Sequence, residues 1–116
     1  MVPRLAAAAF AAALLTTGCA TLRGGPEPGA ELVGRTLRME TARGQVTRLS
    51  FRPGGEVRAR FGRRTLDGRW QASRRRLCFR WPSAPRECWP YRQPFERGRT
   101  RTLTSDRGNV LRVTLL

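Results

Sequence analysis

Short segments of alternating apolar and polar residues, separated by turn formers, make up the chain from about Leu32 onward. In "EVRARF", Val57, Ala59 and Phe61 alternate with arginines, and this period of two places the apolar side chains on one face of a strand. Stretches such as "RPGG" separate the segments, because proline and glycine favour tight reversals. The pattern predicts an all-β domain, a small antiparallel meander, barrel or sandwich of seven or eight strands.

The individual segments predict where the strands lie. The first three are "TLRMET", "VTRLSF" and "EVRARF", and the last two are "RTRTLT" and "VLRVTLL". Between them, apolar residues share one face of "RLCFRW", and Pro90 in "ECWPYR" indicates an edge strand or a bulge. Asp67 and Gly68 in "TLDGRWQA" form a hairpin dipeptide, which predicts a turn between two short strands.

The N-terminal segment has the three parts of an export signal. A short start with one positive charge, "MVPR", precedes the apolar run "LAAAAFAAALL" and the small polar stretch "TTG". Eleven apolar residues make a helix that is well short of the roughly 30 Å of a bilayer core. We therefore expect a signal helix that is removed on export, and the alternative is a helix of residues 5–15 packed in the domain.

The stretch "LTTGC" resembles the lipobox of bacterial lipoproteins, although Thr16 stands where leucine is commonest. The resemblance implies cleavage before Cys19, lipidation of that cysteine, and anchoring in a membrane. The residue after it is Ala20 rather than the aspartate that retains such proteins in the inner membrane, which implies the periplasmic face of the outer membrane. Cleavage after Ala20 would instead release a soluble periplasmic protein.

These features divide the chain into three parts. Residues 1–18 form the signal peptide, and residues 19–31, with the lipidated cysteine and the Gly- and Pro-rich "ATLRGGPEPGAE", form a tether. Residues 32–116 form the β domain.

Three cysteines leave an odd one in an exported chain. If Cys19 is lipidated, Cys78 and Cys88 remain as a pair, and an oxidising periplasm permits a disulfide between them. A zinc site is the competing use of two cysteines, but the chain has no histidine and no second cysteine pair to complete four ligands. We therefore expect a structural disulfide, no metal and no cofactor.

A second resemblance covers about residues 34–92. Gly68 with Trp70, the strand "LCFRW" and the pair Cys88 and Trp89 are similar to elements of small uncharacterised β-rich proteins secreted by proteobacteria, which are lipocalin-like in outline. It implies a barrel and no reaction.

The chain has 23 basic and 8 acidic residues, a formal net charge of +15, and every basic residue is arginine. Guanidinium groups bind phosphate and carboxylate in bidentate geometry, so an arginine face could contact anionic lipid or lipopolysaccharide. Export argues against nucleic acid as the partner, and the alternatives are a solvated surface and the codon usage of a GC-rich genome. The candidate contact residues are Arg58, Arg60, Arg63, Arg64, Arg74, Arg75, Arg76 and Arg80.

Catalysis has little support in the sequence. There is no histidine, no Gly-x-Ser-x-Gly elbow and no Gly-rich phosphate loop. We expect a non-catalytic, lipid-anchored envelope protein that binds an envelope component or a protein partner. The alternative is a hydrolase inhibitor that acts through the loops "SAPRE" and "QPFERGR". A third hypothesis, a carrier with an apolar cavity, competes with the use of the aromatic residues as core.

Overall fold

The structure, a computed structural model, describes residues 27–116. The predicted signal peptide, Cys19 and most of the predicted tether lie outside these residues. A short 3-10 helix, Ala30–Leu32, precedes the strands β1 Thr36–Thr41, β2 Val46–Arg52, β3 Glu56–Phe61, β4 Arg64–Ala72, β5 Arg76–Arg80, β6 Glu87–Pro90, β7 Thr100–Thr104 and β8 Val110–Leu115.

The eight strands form one antiparallel sheet in the order β6-β5-β4-β3-β2-β1-β8-β7. The sheet curls into a nearly closed barrel, and the prediction of an all-β antiparallel fold is confirmed. Pro90 ends β6, which is an edge strand paired only with β5. Because neighbouring strands are antiparallel, successive turns alternate between the two ends of the barrel.

The seam between β6 and β7 is closed by hydrogen bonds from the turn between β7 and β8 rather than by a strand ladder. The backbone N–H of Cys88 donates to Oδ1 of Asp106 at 2.9 Å, and the backbone N–H of Asp106 donates to the carbonyl oxygen of Cys88, also at 2.9 Å. Nearby, Nδ2 of Asn109 donates to Oε2 of Glu87 at 2.8 Å. The turn between β7 and β8 therefore holds the edge strand β6.

Alternation along each strand builds the core. The inward residues of β3 are the predicted Val57 and Ala59, and those of β8 are Leu111, Val113 and Leu115. Arginines, threonines and other polar residues occupy the outward positions of the same strands. The remaining buried core residues are Leu32, Leu37, Leu49, Phe51, Leu77, Phe79, Trp89, Tyr91, Phe95 and Leu103.

The segment before β1 closes one end of the barrel. Leu32 is fully buried, and the backbone N–H of Gly29 donates to the Tyr91 hydroxyl at 3.0 Å. That hydroxyl donates to Oε2 of Glu31 at 2.7 Å, and the same carboxylate oxygen accepts from the backbone N–H of Phe95 at 2.9 Å. The last part of the predicted tether, from Gly29 to Glu31, is thus hydrogen-bonded to the domain. We call this end of the barrel the tethered end.

The prediction of a turn at Asp67 and Gly68 is wrong. Both residues lie inside β4, which continues without a break from Arg64 to Ala72. Gly68 points inward, and a Cβ atom there would lie 2.6 Å from the Arg80 carbonyl oxygen and 2.7 Å from Cζ3 of Trp81. The glycine therefore makes room for the Trp81 indole.

The disulfide between Cys78 and Cys88 is confirmed. The two residues are directly opposite each other on β5 and β6, with their Cα atoms 4.0 Å apart. Their neighbours Leu77 and Trp89 form the adjacent inward pair. Among residues 27–116, no helix is long and apolar enough to span a bilayer.

Candidate anion-binding surface

The eight arginines predicted as an anionic contact do not form one surface. Arg63 lies in the turn that leads into β4 and Arg64 begins that strand, whereas Arg74 and Arg75 lie in the turn that follows its other end. Eight strand residues, 65–72, separate the two groups, a distance on the order of 25–30 Å. Arg76 begins β5 at the tethered end, on the side of Arg74 and Arg75.

Arg58 is already paired. Its Nε donates to Oδ1 of Asp67, the residue opposite it on β4, at 2.7 Å. The hydrogen bond from Arg58 lowers the pKa of the Asp67 carboxyl, and the same bond raises the pKa of Arg58. Both groups therefore stay charged at neutral pH, and most of the charge of Arg58 is compensated within the protein.

Arg60 belongs to a row of arginines that crosses three strands. It lies directly opposite Arg48 on β2, which lies directly opposite Arg38 on β1. We call Arg38, Arg48 and Arg60 the arginine row. Its members occupy outward positions, and side chains that face each other across strands have Cβ atoms about 4.5–5.5 Å apart.

Sequence reasoning missed Arg38 and Arg48. Each occupies a polar position in an alternating segment, "TLRMET" or "VTRLSF", so the pattern places both arginines on the outward face of their strands. The pattern does not give the pairing register, because the four-residue connection 42–45 can close in more than one way, and a shift of one residue moves every side chain to the other face. Register decides which arginines become neighbours.

Acidic residues reach only one end of the arginine row. Nη1 of Arg38 lies 3.4 Å from Oε1 of Glu40, which Arg112 also approaches at 3.9 Å. Within residues 27–116, neither Arg48 nor Arg60 forms an ion pair at 4 Å or less. This part of the outer wall therefore has uncompensated positive charge, and like charges directly opposite each other on a sheet are destabilising.

A depression of about 420 Å³ lies beside the row. Gly34 and Leu116 form part of its wall, and within residues 27–116 no aspartate or glutamate lines it. Its polar side chains are those of Arg35, Arg48 and Arg60 together with the hydroxyl-bearing Thr36 and Ser50. We call these five residues the arginine pocket. The hydroxyl oxygens of Thr36 and Ser50 lie 3.4 Å apart on opposite strands.

A second groove, of about 570 Å³, has mixed charge. Arg52, Arg69 and Arg80 line it, but so do Glu56 and Asp67, and Trp81 forms part of its wall. Nη2 of Arg69 donates to the carbonyl oxygen of Gly54 at 3.2 Å. The predicted contact residue Arg80 therefore lies in a partly neutralised groove, apart from the arginine pocket.

A depression of about 510 Å³ lies at the other end of the barrel, which we call the open end, and its lining includes polar residues such as Arg43, Gln45 and Glu87. Met39 and Trp81 are half-buried apolar residues of its wall, and Phe79, Trp89 and Leu111 form a floor that is at least 96 % buried. Most aromatic side chains therefore belong to the packed core, as expected if they serve as core rather than as the lining of a ligand cavity.

The two loops considered as inhibitory elements lie at opposite ends of the barrel. In the loop "SAPRE", residues 83–86 are exposed at the open end and Glu87 is the first residue of β6. The segment "QPFERGR" lies at the tethered end, where Phe95 is 3 % exposed and the Arg101 guanidinium lies 4.6 Å above its ring. Arg101 also donates to the carbonyl oxygens of Gln93 and Pro94. The second loop is therefore held to the domain at its centre, although its other residues are exposed.

Residues 27–116 bring together no group of three acidic or cysteine side chains that could hold a metal ion. No protein-family model, curated protein or solved structure matches this chain.

Proposed function

We propose that the protein is a non-catalytic, lipid-anchored protein of the outer membrane, held through Cys19 on the periplasmic face, whose β domain binds an anionic component of the envelope. The observation that carries the binding proposal is the pair Arg48 and Arg60, which lie opposite each other and form no ion pair with any acidic residue of the described part of the chain. Their repulsion costs stability in the free protein, and a bound anion offsets it.

The position of the tether supports a membrane component as the anion. Gly34, Arg35 and Thr36 follow directly on the 3-10 helix that closes the tethered end, and they form one wall of the arginine pocket. Glu27 is eight positions after Cys19, and an extended chain of that length spans at most about 26–29 Å. A lipid on Cys19 would therefore keep this end of the barrel close to the headgroups.

The charge of the pocket fits phosphate-bearing lipids. Phosphate groups of phospholipids and of lipopolysaccharide accept bidentate hydrogen bonds from guanidinium groups. Each arginine near an anionic surface contributes about 1 kcal/mol of attraction, which falls with salt. The lipid on Cys19 would attach the protein to the membrane, and the arginine row would orient the β domain on the membrane surface.

Intact mass of the protein from its native membrane fraction, with and without reductant, tests the anchor. The expected chain starts at Cys19, is heavier by two or three acyl chains, and gains the mass of two hydrogens on reduction of the disulfide. A soluble chain that starts at Thr21 without lipid would reject the anchor and the membrane location.

Binding of the purified protein, in an uncharged detergent, to micelles that contain phosphatidylglycerol tests the anionic contact. The double variant R48Q/R60Q should bind less tightly by about tenfold, since it loses two charge-assisted contacts. The variant R74Q/R75Q is the matched control, because it loses the same charge at the connection between β4 and β5. Equal losses in both variants would reject a specific contact and leave only general attraction.

One observation favours the alternative of a hydrolase inhibitor. The exposed loop 82–86 is fixed at its base by the disulfide between Cys78 and Cys88, and Ser83 holds a left-handed backbone with φ of 62°. A loop that is ordered before binding loses little conformational entropy on entering a partner. Assays of lysozyme and of serine proteases with the wild-type protein and with a loop of alanines test this. No inhibition by the wild-type protein would reject the alternative.

A further inference from the structure

We infer that the arginine pocket is a binding site for a phosphate monoester, the terminal phosphate of an envelope lipid. The inference rests on the proposed function and specifies its ligand. The observations that carry it are the three guanidinium groups and two hydroxyl groups that line one depression of about 420 Å³, in which Gly34 and Leu116 complete the wall and no aspartate or glutamate of residues 27–116 takes part.

The donors come from three adjacent chain segments held by the sheet register. Arg48 and Ser50 are two residues apart on β2 and share its outward face, and each has a direct neighbour across the sheet. Arg60 lies opposite Arg48, and Thr36 lies opposite Ser50. These four outward positions form a step across three strands, from Arg60 on β3 through Arg48 and Ser50 on β2 to Thr36 on β1, and Arg35 precedes Thr36 in the chain. The rigid ladder therefore fixes where the donors originate.

The number of donors favours a monoester over a diester. A phosphate monoester has three unesterified oxygens and carries about −1.5 to −2 charges near neutral pH. A phosphodiester has two such oxygens and a single charge. Three guanidinium groups, each with several N–H donors, and two hydroxyl groups can saturate the monoester, whereas a diester would leave part of the donor set and of the positive charge unmatched.

The position of the site favours a lipid. The depression lies on the outer wall of the barrel, and Gly34, which precedes β1, forms part of its lining. The tethered end adjoins the site, which is why we assign the ligand to a lipid rather than to a soluble metabolite.

The test compares short-chain phosphatidic acid with short-chain phosphatidylglycerol by isothermal titration calorimetry on the full protein in an uncharged detergent. Phosphatidylglycerol is used at twice the concentration so that the total lipid charge is similar. We expect phosphatidic acid to bind at least about tenfold more tightly, the difference that one extra charge-assisted contact supplies. Glycerol 3-phosphate, which has the same phosphate without acyl chains, should bind more weakly than phosphatidic acid.

The variant R60K separates geometry from charge. Lysine keeps the positive charge but cannot form the two parallel hydrogen bonds of a guanidinium. R60K should therefore bind phosphatidylglycerol as the wild type does and lose most of the preference for phosphatidic acid. R74K in the remote turn is the matched control and should keep the preference. Tryptophan fluorescence of each variant verifies that it is folded.

Equal affinity for the two lipids at equal charge would overturn the monoester site and leave the anionic contact of the proposed function intact. Absence of binding to both lipids would overturn the inference and the proposed contact together. Binding of glycerol 3-phosphate as tight as that of phosphatidic acid would overturn the assignment to a lipid. A preference that survives in R60K would overturn the role of the arginine pocket.

Discussion

Asp106 and Cys88 exchange two hydrogen bonds across the seam of the barrel, one through the aspartate side chain and one through its backbone N–H, each 2.9 Å long. The pair joins the turn between β7 and β8 to the edge strand β6. Since β6 and β7 share no ladder, this contact takes the place of strand pairing.

Replacement of Asp106 by alanine should destabilise the domain by about 1–2 kcal/mol, because the Cys88 N–H loses a charged acceptor at a partly buried position. Urea unfolding followed by tryptophan fluorescence measures the loss. Asp67→Ala is the control, because that carboxylate is 69 % exposed in a surface ion pair, and such pairs contribute about 0–1 kcal/mol. Equal losses in the two variants would contradict a role of Asp106 in closing the seam.

Gly68→Ala should destabilise the domain by about 1–3 kcal/mol. The added Cβ would meet the Trp81 ring and the Arg80 carbonyl oxygen, and the backbone oxygen cannot move aside as a flexible side chain can. Thermal or urea unfolding measures the change. Thr65→Ala, at an exposed position of the same strand, should have an effect within about 0.5 kcal/mol. A neutral Gly68→Ala would mean that the indole does not rest on this glycine.

Tyr91 should titrate far above an ordinary tyrosine. Burial, the largest cause, and the hydrogen bond to Glu31 raise the pKa of Tyr91 from 10.0 to about 12, a net value that includes the opposite effect of the Gly29 N–H. Tyr91 is the single tyrosine of the chain, so absorbance near 295 nm follows this residue alone. Glu31→Gln should lower the midpoint, because the neutral amide no longer repels the phenolate.

The raised pKa of Tyr91 also makes the stability of the domain depend on pH. The folded protein holds the phenol proton more tightly than the unfolded chain does, so this contribution to stability is complete below about pH 10. It is lost as the pH rises from 10 towards 12, between the two pKa values. A midpoint near 10 in the folded protein would show that the hydroxyl is solvated and that the tethered end is open.

Arg60→Gln should stabilise the domain slightly, by about 0.2–1 kcal/mol at low salt, because it removes a like-charge neighbour of Arg48. The gain should shrink as salt screens the repulsion. Arg58→Gln is the matched control: it removes the same charge two residues away, but it breaks the ion pair with Asp67 and should bring no gain. Unfolding in urea at two salt concentrations measures both variants. A loss of stability in Arg60→Gln would show that Arg48 and Arg60 do not repel each other.

The sequence predicted the strands well because alternation is a local property. The bounds predicted for β1 and β3 agree with the structure, and those for β2 and β7 differ by one residue. The error at Asp67 and Gly68 arose because this dipeptide is typical of hairpin turns, while its actual role depends on a tryptophan that follows thirteen residues after Gly68. Local chemistry could not show that contact.

The candidate site was less accessible to sequence reasoning. Arg60 was found because it alternates with apolar residues in β3, but its partners Arg48 and Arg35 lie on other segments. Charge runs such as Arg74 to Arg76 were easier to see, although the structure places them at a turn far from Arg63 and Arg64. The arginine pocket depends on register and on the curl of the sheet, and neither is encoded in a single short segment.

The strand order also determines how the chain can assemble. Six of the seven ladders within residues 27–116 join strands that are consecutive in the chain, and only the ladder between β1 and β8 connects distant segments. Local hairpins close quickly, whereas the long loop between Leu37 and its partner Leu115 must be ordered before that ladder contributes. We therefore expect two separately nucleated units, β1 to β6 and β7 to β8, whose meeting along β1 is the slow step of folding.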